Sequence, residues 1–148
     1  MKTCLSVFLA FISLCLYAQP VTRKSTMPDA ELRIRQTLAA QTAAWNNGSL
    51  DSFMIGYWKN DSLMFIGKSG ITYGWQKTLE NYRKGYPDRA AMGQLKFDIL
   101  VVKQLSPEYV QVVGKWALQR SIGDVGGHFT LLFQLIEGNW VVVTDHSS

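Results

Sequence analysis

The chain has 148 residues, room for one domain with a proper core and too few for a second once an export segment is set aside. Its 15 Lys and Arg against 11 Asp and Glu leave a modest positive balance, scattered from Arg23 to Arg120 as on a solvated surface, so nucleic acid is not an expected partner. Both cysteines, Cys4 and Cys15, fall within residues 1–18, which excludes a disulfide, a thiolate nucleophile or a cysteine-held metal from the remainder.

Residues 1–18 run from Met1-Lys2 through an apolar stretch, Leu5 to Leu16, to Tyr17-Ala18-Gln19-Pro20. Charge, then apolar, then short residues is the order of a secretory signal, and the stretch is too short to span a membrane. Leu14 before Cys15 argues against lipid attachment. The expectation is cleavage at Ala18 or Gln19 and a secreted or periplasmic protein with no membrane association in its mature form. Residues 19–27 read as a flexible lead, and residues 28–148 as the folded domain.

Pro28, Asp29 and Glu31 are a helix-starting proline and two acids in a first turn, where the helix dipole favours them. Ile34, Leu38, Gln41 and Trp45 then mark one inward stripe, and Asn46-Asn47-Gly48 ends the helix. Ser49 can cap a second helix carrying Leu50, Phe53, Met54 and Tyr57, so the two form a hairpin. Leu63 to Ile66 reads as a strand. Thr72 is expected to open a third helix with Trp75, Leu79, Tyr82 and Tyr86 on one side, stopped by Pro87. From Leu95 the pattern changes to alternation: Leu95 to Val102, Tyr109 to Arg120, His128 to Ile136 and Trp140 to Asp145. Ser106-Pro107-Glu108 and Glu137-Gly138-Asn139 are tight turns between them, and Ser121 to Gly127 is a glycine-rich loop.

This order, with the segment Trp45-Asn46-Asn47-Gly48-Ser49-Leu50-Asp51 and the closing strand Gly138 to Ser148, resembles the nuclear transport factor 2-like superfamily. Tyr82-Arg83-Lys84-Gly85-Tyr86-Pro87-Asp88 and Met92-Gly93 point further to its SnoaL-like branch, in a bacterial group of exported domains of unknown function. The resemblance covers about residues 28–148. It implies an α+β cone: a curved antiparallel sheet wrapped around three helices, a central pocket, and often a homodimer through the sheet. One face of the second long strand, Val110, Val112, Gly114, Trp116 and Leu118, suits the inside of such a cone.

Aromatic residues dominate the elements that would surround the pocket. Tyr57, Trp58, Tyr73, Trp75, Tyr82, Trp116 and Phe133 are candidate ligand-binding residues, and the partner they suit is a small apolar or aromatic molecule. Trp45, Phe53 and Phe65 read as core. In the closing strand Asp145 and His146 are neighbours and must point to opposite faces. With Gly138-Asn139 as a two-residue turn, His146 falls opposite Leu131 and shares the apolar face of Phe129, Leu131, Phe133 and Leu135, while Asp145 joins His128 on the other face. A one-residue change of register reverses this. The first register is preferred because it places Trp140, Val142 and Thr144 on the apolar face.

His146 is then the expected polar pocket residue, with Tyr57 as its working partner if the protein is an enzyme. His128, His146 and Asp145 share a face in neither register, so no metal is expected, and no cofactor is implied. A ketosteroid isomerase type of chemistry needs a pocket carboxylate. Asp98 would face away with Phe97 facing in, and Asp51 and Asp61 fall at loops, so none is well placed. No nucleophile signature accompanies a Ser-His-Asp set, and no helix follows Gly123-Asp124-Val125-Gly126-Gly127 to make it a phosphate loop. The leading expectation is an exported, dimeric small-ligand-binding domain. The alternatives are a SnoaL-like enzyme transferring a proton on a small cyclic or carbonyl substrate, and an assembly module.

Overall fold

Where Pro28 and Asp29 suggest a helix start, the chain turns helical. Helix α1 spans Met27–Asn46 in the computed structural model, which describes residues 26–148. The expected export signal, with Cys4 and Cys15, and most of the lead lie outside the described residues. The inward stripe of α1 is Ala30, Ile34, Leu38, Gln41 and Trp45. Gly48, at φ 80°, takes the left-handed turn after the helix. Ser49 Oγ accepts the Ser52 N–H at 3.2 Å and so caps α2 (Leu50–Phe53), which tightens into a 3-10 turn at Met54–Gly56.

Thr72 does not open the third helix. Strand β1 (Met64–Gly67) turns through Lys68-Ser69 into β2 (Gly70–Tyr73), and α3 (Trp75–Gly85) begins only after Gly74. Gly70 at φ 99° and Gly74 at φ 89° let the chain double back on β1 and then leave it, and β-branched Ile71 and Thr72 suit the strand between them. A short helix, α4 (Arg89–Met92), follows Pro87 and is capped by the Asp88 carboxylate on the Ala91 N–H at 2.8 Å. Four strands complete the domain: β3 (Gln94–Ser106), β4 (Tyr109–Gln119), β5 (Val125–Ile136) and β6 (Asn139–Ser147).

The sheet order is β2-β1-β6-β5-β4-β3, curved and unclosed, with the helices across its concave face, which is the expected α+β cone. The sheet is mixed rather than wholly antiparallel, because β1 runs parallel to β6. β5 also starts earlier than alternation suggested. Gly126 and Gly127 lie in the strand, and a Cβ on Gly126 would come within 2.8 Å of the Trp116 carbonyl oxygen. These glycines serve close approach rather than a loose loop.

The segment Trp45 to Asp51, which carried much of the family resemblance, ties α1 to the sheet. The Asn46 side chain pairs with the Leu95 backbone like a strand neighbour: its Oδ1 accepts from Leu95 N at 2.6 Å and its Nδ2 donates to Leu95 O at 3.1 Å. Trp45 Nε1 donates to the Met92 carbonyl at 3.0 Å. Arg89 donates to the last α1 carbonyls, those of Trp45 and Asn46, at 3.2 and 2.6 Å, supplying partners that a helix end lacks.

The closing hairpin decides the site. Its two-residue turn is Glu137-Gly138, both at positive φ, with Ile136 opposite Asn139 and Phe133 opposite Val142. This differs from the expected turn by one position on each strand, which leaves the facing of Trp140 and Val142 unchanged. The reversal comes later, from a bulge: Leu132 pairs with Thr144, so Val143 is an extra residue on β6. Beyond it Leu131 faces Asp145, Thr130 faces His146 and Phe129 faces Ser147. Asp145 therefore points into the cone, and His146 stands on the outer face, exposed.

Candidate functional site

Between the concave face and the helices lies a cavity of about 360 Å³, walled mostly by aromatic rings. The Tyr82 ring, on α3, packs against Phe53 at 5.3 Å, Phe65 at 5.8 Å and Trp45 at 5.9 Å between ring centres, each near edge-on. Phe97 of β3 and Phe129 of β5 meet edge-on at 5.3 Å across β4 and close the sheet side together with Trp116. Gly114 sits on that face because a Cβ there would strike the Phe129 ring.

On this wall Asp145 is 3 % exposed, beside Leu131 of β5 on one flank and Phe65 of β1 on the other. Tyr57 leaves the 3-10 turn at a bridge to Val142, and its hydroxyl donates to Asp145 Oδ2 at 2.7 Å. Ser147, two residues on and on the same face, donates through Oγ to Oδ1 at 2.6 Å. The Tyr82 hydroxyl lies 3.4 Å from that of Tyr57, a long contact in which either can donate.

Burial raises the Asp145 carboxyl to about 6, and the hydroxyls of Ser147 and Tyr57 and the charge of His146 oppose the rise without cancelling it. Burial likewise pushes Tyr57 and Tyr82 well above the usual phenol range, with the Asp145 charge adding to both. At neutral pH the cluster is therefore a mostly ionised carboxylate beside two protonated phenols. A group of this kind can take a proton and give it back, while the phenols donate to an oxygen that gains charge.

Of the candidates from the sequence, Tyr57, Tyr82 and Trp116 converge on the cavity. Phe133 is fully buried behind it in the core. Tyr73 is 62 % exposed on β2 and lines a shallow outer groove with Asp61 and Lys77. Trp75 is held outside the cavity, its Nε1 donating to the Met54 carbonyl at 2.9 Å and Lys59 Nζ lying 5.2 Å from its ring centre. Trp58 is half-buried and lines neither, and its backbone N–H holds the Val142 carbonyl at 2.9 Å. His146 lies outside the cavity for the reason already given, the bulge at Val143. Phe65, read from the sequence as core, is a wall residue, and Phe97, Ser147 and Asp145 join it.

Asp145 is the acid that sequence reasoning set on the wrong face. One signal marks the spot: Trp140-Val141-Val142-Val143 is an apolar run that breaks alternation, as a strand must where a bulge turns two successive residues inward. Among the described residues no three His, Cys, Asp or Glu gather as a metal would need, and no helix is long and apolar enough to cross a membrane.

No family model and no curated protein matches the chain. Solved structures do. A nuclear transport factor 2-like protein of unknown function from Shewanella oneidensis is 44 % identical, with 80 % of this chain and 98 % of that one covered at a TM-score of 0.77. A ketosteroid isomerase-like protein from Erwinia carotovora atroseptica shares the fold at 16 % identity, covering 79 % and 93 %, with a TM-score of 0.62. A putative calcium/calmodulin-dependent protein kinase type II association domain from Thiobacillus denitrificans does so at 19 % identity, covering 77 % and 92 %, with a TM-score of 0.65. At such identities the last two speak for the fold alone.

Proposed function

The chain belongs to the nuclear transport factor 2-like superfamily, and on that premise we propose that its cavity binds a small, mostly apolar cyclic carbonyl compound and moves a proton on it through Asp145. The observation that carries this reading is a buried carboxylate on an aromatic wall, with one oxygen held by Tyr57 and the other by Ser147. Each carboxylate oxygen keeps a further lone pair for a substrate proton. In the step proposed, Asp145 takes the proton from the carbon next to the carbonyl and the C–H electron pair moves into the enolate. The enolate oxygen accepts a hydrogen bond from the Tyr82 hydroxyl, and return of the proton to the same or a conjugated carbon completes the cycle. This is SnoaL-like proton transfer with Asp145, not His146, beside Tyr57.

The test is hydrogen–deuterium exchange at the carbon next to the carbonyl of α-tetralone, followed by NMR in deuterated buffer. Wild-type protein should accelerate exchange, and Asp145→Asn should lose about a hundredfold or more of that acceleration. Equal exchange with both proteins would refute proton transfer by Asp145. Binding of α-tetralone without exchange would leave a ligand-binding domain, a reading that the many aromatic walls and single acid support. The signal-like order of residues 1–18 supports export of this site. Exposed Leu100, Val101 and Leu105 on β3 support a homodimer through the sheet.

A further inference from the structure

The aromatic cavity does not end at Tyr82. Phe65, Gly67, Lys68, Tyr82 and Tyr86 are also walls of a second, outer chamber of about 400 Å³ between the β1–β2 turn and α3. The charged side chains are divided along this path. Asp145 is the one acidic side chain lining the inner chamber, Lys68 stands where the two chambers meet, and the outer one has Lys68 and Lys84 in its lining and no acid. Arg83, next to Lys84, is engaged by Asp51 at 2.8 and 3.0 Å. Among the described residues Lys68 and Lys84 have no acid partner.

From this polarity we infer that the molecule taken by the site is an anion: a cyclic carbonyl compound with a carboxylate or similar acidic tail, ring inward and tail at Lys68 and Lys84. The inference rests on the cavity reading and adds charge and orientation to it. An anionic group placed inward would meet the Asp145 carboxylate in a poorly solvated space, where like charges repel strongly. Placed outward, it meets two cations from separate elements, the tip of the β-hairpin and the last turn of α3. The lysine ammoniums are flexible point charges, so they select charge rather than one exact headgroup shape. They also draw an anionic ligand toward the mouth, an effect that salt weakens.

The experiment compares naphthaleneacetate with naphthaleneacetamide, which share a ring system and differ in charge, by calorimetric titration of the intact protein. The acetate should bind roughly five- to tenfold tighter than the amide at low salt, as expected for two exposed charge contacts. Lys68→Gln with Lys84→Gln should abolish that preference and leave the amide's affinity unchanged, as should raised salt in the wild type. Equal binding of the two probes, or a preference that survives the double substitution, would overturn the anionic tail and leave the inner cavity reading standing. If neither probe bound while α-tetralone did, the anionic tail would fall and the cavity reading would stand; if none of the three bound, both would fall. Far-ultraviolet circular dichroism of the double variant, whose two sites are exposed, should match wild type, so that lost preference reports charge.

Discussion

Replacing Asp145 by asparagine removes a charge while keeping the shape and one oxygen to accept the Tyr57 hydroxyl, now at 2.7 Å. The folded carboxyl sits at about 6 against an ordinary 3.8. Between those values the folded protein binds more protons than the unfolded chain, so this group makes stability fall as pH rises through the window and level off above it. The displacement of about two units corresponds to about 3 kcal/mol at 1.36 kcal/mol per unit. At 3 % exposure Asp145 is too enclosed for solvent to screen much of this. The assay is urea unfolding of both proteins from about pH 4 to about pH 8, where other titrating groups cancel in the difference. The stability of Asp145→Asn relative to wild type should rise by about 2 to 3 kcal/mol across that range. Parallel curves would refute the reasoning, because they would mean that Asp145 ionises in the folded state as easily as in the unfolded one.

Tyr57→Phe removes a hydrogen bond that favours the charged carboxylate, so the Asp145 carboxyl should titrate at a still higher pH, read from its carbon-13 chemical shift. Gly114→Ala would bring a Cβ within 2.7 Å of the Asp98 carbonyl oxygen and against the Phe129 ring; urea unfolding should show a loss of about 1 to 3 kcal/mol. Asn46→Ala leaves the N–H and C=O of buried Leu95 without their partner and should cost about 2 kcal/mol in the same assay. His146→Ala, on the outer face, should change stability by less than about 0.5 kcal/mol and leave tetralone exchange as in wild type.

Elements whose sequence pattern is local were legible. The stripe of α1, the Ser49 cap and the alternation of β4 each depend on neighbours a few residues apart, and each formed as read. Elements that depend on distant partners were not. β2 is four residues long and persists as a strand because it pairs with β1, while α4 stands on its Asp88 cap and on Arg89 reaching back to α1. The parallel pairing of β1 with β6 joins residues 80 positions apart, such as Met64 and Thr144, and nothing near either strand encodes it. The site followed the same division. Tyr82 and Trp116 were legible because facing on an unbroken helix or strand follows from spacing, whereas Tyr57, expected on the second helix, reaches the cavity from the extended residue after a 3-10 turn. Asp145 was not, because one extra residue at Val143 inverts everything after it, and a period-two reading carries no memory of a bulge.

That bulge places the chain's only fully enclosed carboxylate among the described residues, and its energetics bear on purpose. Above pH 6 the ionised Asp145 lowers stability, and its two hydroxyl partners do not restore the ordinary value. An apolar residue of similar size at this position, between Leu131 and Phe65, would bury as well without that cost. A destabilising charge that is oriented by two donors and faces an aromatic cavity is what a site for proton transfer requires. The measurement of pH-dependent stability and the measurement of exchange thus address one premise from two sides. A carboxyl that proves unperturbed would remove the thermodynamic motive for the reading even if a ligand binds.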